Sequence, residues 1–139
     1  MTSATTVAHA KYTAGQLDSN RSIAVEFLAA AASGHAREAM AHYAAPGFVH
    51  HNPYFPSDAR SLATAMDDNA RDNPDKSLEV LRTVAERDLV AVHSRVQQGP
   101  GQAPAPVVHI FRFEDGHIRE LWDIGQEVPA DSPNAAGVF

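Results

Sequence analysis

Two residues near the end of the chain, His109 and Asp123, are of types that move protons. A carboxylate can take a proton from a carbon beside a carbonyl and return it to an oxygen. An imidazole nearby can polarise that carbonyl or donate to the growing enolate. Burial between apolar walls disfavours the charged form of a carboxyl group, which makes its carboxylate a stronger base. The two residues can share this work only if they face the same side of a sheet, and side chains along a strand alternate sides. The turn between them, Glu114-Asp115-Gly116, therefore decides the matter. A two-residue hairpin at Asp115-Gly116 would turn Trp122 toward His109 and Asp123 away. A three-residue loop with Gly116 in the left-handed conformation would put His109, Leu121 and Asp123 on one face. Gly116 suits that bulge position, and the three-residue loop is expected.

On that register Val107, His109, Phe111, Leu121 and Asp123 line a pocket, with Arg112, Glu120, Trp122 and Ile124 behind. His93 and Arg95 alternate with Val92 and Ser94 on the preceding strand, and the loop after Gln97 could carry His93 across from His109. His51 is expected at the pocket mouth or floor. Asp123 and His109 are thus the expected catalytic pair, with His51, His93, Arg95, Phe111 and Leu121 expected to bind substrate. No metal site is expected. The histidines form no close H-x-H or H-x-x-x-H pair, and His50 and His51 point opposite ways in an extended segment. The Gly99-Pro100-Gly101 loop precedes no helix and so makes no phosphate cradle.

The elements that position these residues change character along the chain. Apolar residues at helical spacing predict helices over 18–33, 35–44 and 58–72. Asp18 or Ser19 is suited to cap the first and Ser57 the third; Gly34 stops the first and Pro46-Gly47 the second. Phe48 to His51 is a short extended segment closed by Asn52-Pro53. Beyond Pro74, β-branched runs predict strands at 77–86, 88–97, 105–113 and 117–126. Helices first and an antiparallel meander second is an α+β arrangement. The run Val107-Val108-His109-Ile110-Phe111 lacks alternation, so both faces of that strand are expected to be covered, one inside the fold and one by a second subunit.

With 139 residues, the chain is read as one domain, residues 1–139, with 1–12 as a flexible arm. It has no cysteine, which rules out disulfides and thiolate chemistry. A net charge of −6 disfavours nucleic acid and anionic membranes as partners. No run approaches a membrane span, and the opening residues lack the order of a signal peptide; a cytoplasmic protein is expected.

The segment from Ile110 through Phe111-Arg112-Phe113-Glu114-Asp115-Gly116-His117-Ile118 to Leu121-Trp122-Asp123 resembles the last hairpin of SnoaL-like (polyketide cyclase-like) proteins. Phe48-Val49-His50-His51-Asn52-Pro53 resembles the His-Asn-Pro box of the branch of SnoaL-like aldol-condensation enzymes. Gln126-Glu127-Val128-Pro129 and Asn134 to Phe139 resemble that branch's closing segment. The resemblance implies the cone shared with nuclear transport factor 2, scytalone dehydratase and ketosteroid isomerase, with three helices packed in a strongly curved antiparallel sheet. It also implies cofactor-free chemistry in that cone. An Asp of the last strand, here Asp123, serves as acid and base in the SnoaL cyclases, assisted by a His fourteen residues earlier, here His109. The chain departs from the aldol branch at Leu121, where His is common, and at His109, where an acidic residue is usual. The implied activity is a lyase or isomerase reaction on a small carbonyl compound. The alternatives are a non-catalytic cone that binds an apolar ligand and, less well matched with one pocket carboxylate, an epoxide hydrolase. The expected partners are a hydrophobic or carbonyl-bearing small molecule and a second copy of the chain.

Overall fold

The computed structural model describes residues 12–139, so the expected arm falls, apart from Tyr12, outside the described residues. The elements run α1 (Ala14–Ala32), α2 (Ala36–Tyr43), β1 (Ala44–His50), α3 (Ala59–Asp72), β2 (Ser77–Glu86), β3 (Leu89–Gln97), β4 (Ala105–Glu114) and β5 (His117–Gly125). The architecture is α+β, with three helices among the described residues set against a curved open sheet of order β1-β5-β4-β3-β2. Among the described residues no helix is long and apolar enough to cross a membrane.

The first helix starts earlier than its apolar spacing suggests, because Thr13 and Gln16 form a capping box. Thr13 Oγ1 accepts from the Gln16 N–H at 3.1 Å, and the Gln16 side chain accepts from the Thr13 N–H at 2.7 Å. One stripe of α1, with Ala24, Phe27, Leu28 and Ala31, is buried in the core. Gly34, at φ +87°, reverses the chain into α2. His35 gives α2 no side-chain cap; the Asp67 carboxylate of α3 accepts from the N–H groups of Ala36 and Arg37 instead, at 2.7 and 3.2 Å. The cap of α3 is Asp58, which accepts from the Ser61 N–H, rather than Ser57.

The sheet differs from a pure meander in one strand. β2 to β5 pair antiparallel in sequence order, but β1 joins the edge of the sheet parallel to β5. Pro46 and Gly47, expected to end α2, lie inside β1. An edge strand tolerates a residue without an N–H. They take up a register jump, since Ala44 pairs with Ile118 but Val49 with Glu120.

The β4–β5 hairpin also departs from expectation. Its loop has two residues, not three: Glu114 pairs with His117, and Asp115 and Gly116 both take positive φ, 51° and 77°. The odd residue sits in the strand instead. Phe113 pairs with Ile118 and Arg112 with Glu120, which leaves Arg119 as a bulge. The bulge restores the parity that a three-residue loop would have given, and His109 stands directly across from Asp123.

The core lies between α1, α3 and the inner face of the sheet. Phe27 packs edge-on against Phe111, with ring centroids 5.9 Å apart at 79°. Val90, Val92, Phe111, Ile118 and Leu121 close it from the strands.

The two-residue turn can be tested by itself. A Cβ at Gly116 would have no atom within 4 Å, so a side chain there costs backbone strain alone. Gly116→Val should lower the unfolding free energy by about 1–2 kcal/mol in urea titration. An unchanged midpoint would contradict the left-handed turn.

Candidate active site

The inner face of the sheet and the helices enclose a cavity of about 280 Å³. Leu28, Ala31 and Ala32 of α1 and Leu62, Ala65 and Met66 of α3 form its apolar roof. Val107, His109 and Asp123 face them from β4 and β5, and Asn52 and Phe55 come from the loop after β1. Lys76 at the head of β2, Asn69 of α3 and Gln98 complete the polar lining.

His109 and Asp123 meet here: Nε2 of the imidazole lies 3.6 Å from Oδ1 of the carboxylate. That is an ion-pair separation but too long for a good hydrogen bond. The other carboxylate oxygen, Oδ2, accepts from Asn52 Nδ2 at 2.9 Å. The Asn52 amide is itself oriented, because its Oδ1 accepts from the Tyr54 N–H at 3.0 Å. Behind it stands His50, which is buried. Its Nδ1 accepts from the Asn52 N–H at 3.1 Å, and its Nε2 therefore carries the proton donated to the Pro56 carbonyl at 2.5 Å. His50 thus pins the loop that holds Asn52, and Asn52 pins Asp123. The carboxylate is less enclosed than the sequence suggests: its side chain is 24% exposed, and one of its oxygens is held by the Asn52 amide.

His109 is almost wholly buried. Burial pushes its pKa down; the nearby Asp123 charge opposes this and the Lys76 charge adds to it. It is therefore a neutral imidazole near pH 7, suited to accept or share a proton rather than to carry one. Its Nδ1 has no hydrogen-bond partner, and neither does Ser94 Oγ nor Gln98 Oε1. Unpaired buried polar atoms of this kind leave hydrogen-bonding capacity that a polar ligand can meet.

Lys76 is the site residue that the sequence reading missed. Its ammonium donates to Asn69 Oδ1 at 2.8 Å. Burial lowers its pKa, partly offset by the charge of Asp123. In the sequence Asn52 closes the extended segment and belongs to the His-Asn-Pro box, with no role assigned to it at the site. The available signal for Lys76 was its rarity: the chain has two lysines, Lys11 and Lys76, against nine arginines.

The remaining expected site residues lie elsewhere. Phe111 and Leu121 share the inner face with His109 and Asp123 and pair with each other, but they are sealed in the core beneath the cavity, under Phe27. His93 pairs with Val108, not with His109, so strand parity puts it on the outer face, beside Arg82. Arg95 shares that face and stacks over the Phe139 ring at 5.6 Å. His51 follows the inward His50 and so points outward, where it stacks on Trp122 and bonds Glu120 at 2.6 Å. That hydrogen bond, with help from Arg112, holds the Glu120 carboxyl below its usual range. Among the described residues, no group of three or more His, Asp or Glu side chains is placed to hold a metal ion.

The profile of the SnoaL-like domain family matches residues 24–121. Solved structures share the fold at low identity. AclR, a candidate hydroxylase from Streptomyces galilaeus, is 23% identical, covers 79% of this chain and 90% of its own, and superposes with a TM-score of 0.66. A candidate SnoaL-like polyketide cyclase from Jannaschia is 18% identical, covering 83% of this chain and 90% of its own, with a TM-score of 0.65. A candidate ketosteroid isomerase from Kribbella flavida is 18% identical, covering 85% of each chain, with a TM-score of 0.65. A comparison with curated proteins finds no match.

The neutral imidazole has a consequence for stability. Because the folded-state pKa of His109 is lowered, the unfolded chain binds this proton more readily. The contribution is complete above the unfolded value of about 6.5 and is lost as pH falls through and below it. Urea unfolding followed from about pH 7.5 down to about pH 5 should show stability falling more steeply in the wild type than in His109→Gln. Parallel profiles would mean that His109 is not held neutral.

Proposed function

The chain belongs to the SnoaL-like domain family, and from that premise we propose that it is a cyclase- or isomerase-type enzyme performing acid–base chemistry on a carbonyl compound. One observation carries this reading: Asp123, anchored by Asn52, and the neutral His109 stand side by side at the wall of one cavity. Anchoring through Oδ2 leaves Oδ1 as the oxygen that meets substrate. Asp123 takes the proton from the carbon beside the carbonyl and hands it back at carbon or oxygen, while His109 shares the charge that develops on the carbonyl oxygen. The apolar roof from α1 and α3 binds the hydrocarbon part of the substrate. An aldol-type or lyase outcome uses the same two groups, with the enolate attacking or leaving a second carbonyl.

Deuterium exchange into a series of β-dicarbonyl compounds tests the reading. Asp123→Asn should slow exchange by about a hundredfold or more, and Asn52→Ala should slow it less by loosening the carboxylate. Equal rates in wild type and Asp123→Asn would remove Asp123 from the mechanism.

The same premise supports a homodimer formed through the outer face of the sheet. That face carries Val108, Ile110, Trp122 and Ile124, and Ile124 is 55% exposed. Glu120 bridges Arg112 and His51 beside Trp122, so the charged groups there are already paired. Light scattering should find a dimer for the wild type and a monomer for Ile124→Glu. A monomeric wild type would overturn the assembly.

A further inference from the structure

Lys76 is where the chain breaks its own preference. Nine of its eleven basic residues are arginine, and one of the two lysines lines the cavity of His109 and Asp123. The two side chains are not equivalent: a guanidinium stays protonated and does not add to carbonyls, whereas an amine can lose its proton and do so. We propose that Lys76 is a catalytic nucleophile that forms an imine with a ketone or aldehyde substrate.

The placement suits this role. Lys76 closes the turn from α3 into β2, where its N–H donates to the Asn73 carbonyl at 3.0 Å and the Asn73 N–H donates to the Asn69 carbonyl at 2.9 Å. Its root is therefore fixed by backbone bonds. Its head is held by Asn69 Oδ1 at 2.8 Å, an acceptor that does not demand a charged donor. Leu78, Val96 and Met66 belong to the apolar lining of the same cavity. Burial shifts the amine toward its neutral form, the form that attacks. Both Asp123 and His109 lie near enough for their charges and that of Lys76 to influence one another.

The step balances without an oxidant or reductant. The neutral amine adds to the carbonyl carbon and a C–N bond forms. The carbonyl oxygen takes up the two amine protons, relayed by His109 and Asp123, and leaves as water as the C=N bond forms. Protonated on nitrogen by a proton taken from solvent, the imine acidifies the adjacent C–H. Asp123 removes that proton to give an enamine, and water reverses the sequence to release product. This deepens the acid–base reading above and rests on it, because Asp123 keeps its task and the imine replaces the bare carbonyl as electron sink.

The test uses the whole chain and a short panel of ketones, from acetone to cyclohexanone, at neutral pH. Borohydride reduction followed by peptide mapping should find the reduced adduct on Lys76 at least about tenfold faster than on Lys11, the chain's other lysine. In deuterium oxide the wild type should exchange the protons beside the ketone. Lys76→Arg keeps the charge but cannot form an imine, and it should lose that exchange while melting at the wild-type temperature. Lys76 labelled no faster than Lys11, or Lys76→Arg exchanging at the wild-type rate, overturns the proposal. If exchange then still depends on Asp123, the imine alone falls; if it depends on neither residue, the acid–base reading falls with it.

Discussion

The site depends on the parity of a single strand. Along β5, each residue faces the side opposite its neighbour, so one residue more or fewer before Leu121 exchanges the cavity for the outer surface. Without the bulge at Arg119, Trp122 would sit across from His109 and Asp123 would face outward. With it, Leu121 and Asp123 point in, and Glu120, Trp122 and Ile124 point out. The bulge has a counterpart in β1, where Gly47 takes φ +78° and its carbonyl accepts from the Arg119 guanidinium. A Cβ at Gly47 would come 3.3 Å from the end of that guanidinium, a tight contact that a small shift of the arginine relieves, so it is the φ of +78° that favours glycine there. Two irregular residues on neighbouring strands thus hold each other and fix which chemistry faces the cavity.

Within the cavity, support is layered. The carboxylate is held by an amide, the amide by a turn, and the turn by a buried histidine whose tautomer is set by its two backbone partners. His50 therefore positions the site although it does not line the cavity. The charges of Lys76 and Asp123 act on His109 in opposite directions. Burial, with a lesser contribution from the Lys76 charge, lowers the pKa of His109, burial lowers that of Lys76, and Asp123 opposes both shifts without reversing them. A cavity with one held amine, one neutral ring and one anchored carboxylate is suited to moving protons through small charge changes.

The sequence makes much of this legible where the information is local. Helical spacing locates all three helices among the described residues, and the Asp115-Gly116 hairpin signal locates β4 and β5. What escapes is set by contacts distant in sequence. The parallel pairing of β1 with β5 leaves no local mark, because Pro46 and Gly47 read as a helix stop when their strand partner is unseen. The hairpin shows the limit well: the register of His109 and Asp123 follows from an odd residue, but turn propensity assigns it to the loop while the Gly47–Arg119 contact draws it into the strand. His51 and His93 carry the right chemistry and the wrong parity. Phe111 and Leu121 have the right parity but lie one layer too deep. Lys76 and Asn52 belong to no periodic pattern and show themselves only when α3 and β1 bring their ends to the sheet.

The Asn52–Asp123 hydrogen bond joins residues 71 positions apart, and β1 pairs with residues 118 to 121. Contacts of such long range close large loops and form slowly. During synthesis from the N-terminus, α1, α2, β1 and α3 emerge well before β5 exists to receive them. Until then the sheet edge that β1 requires is missing, and the carboxylate that completes the site has not been made. Maturation of the fold and assembly of the proton-transfer apparatus are therefore one event, which coincides with the arrival of the last strand.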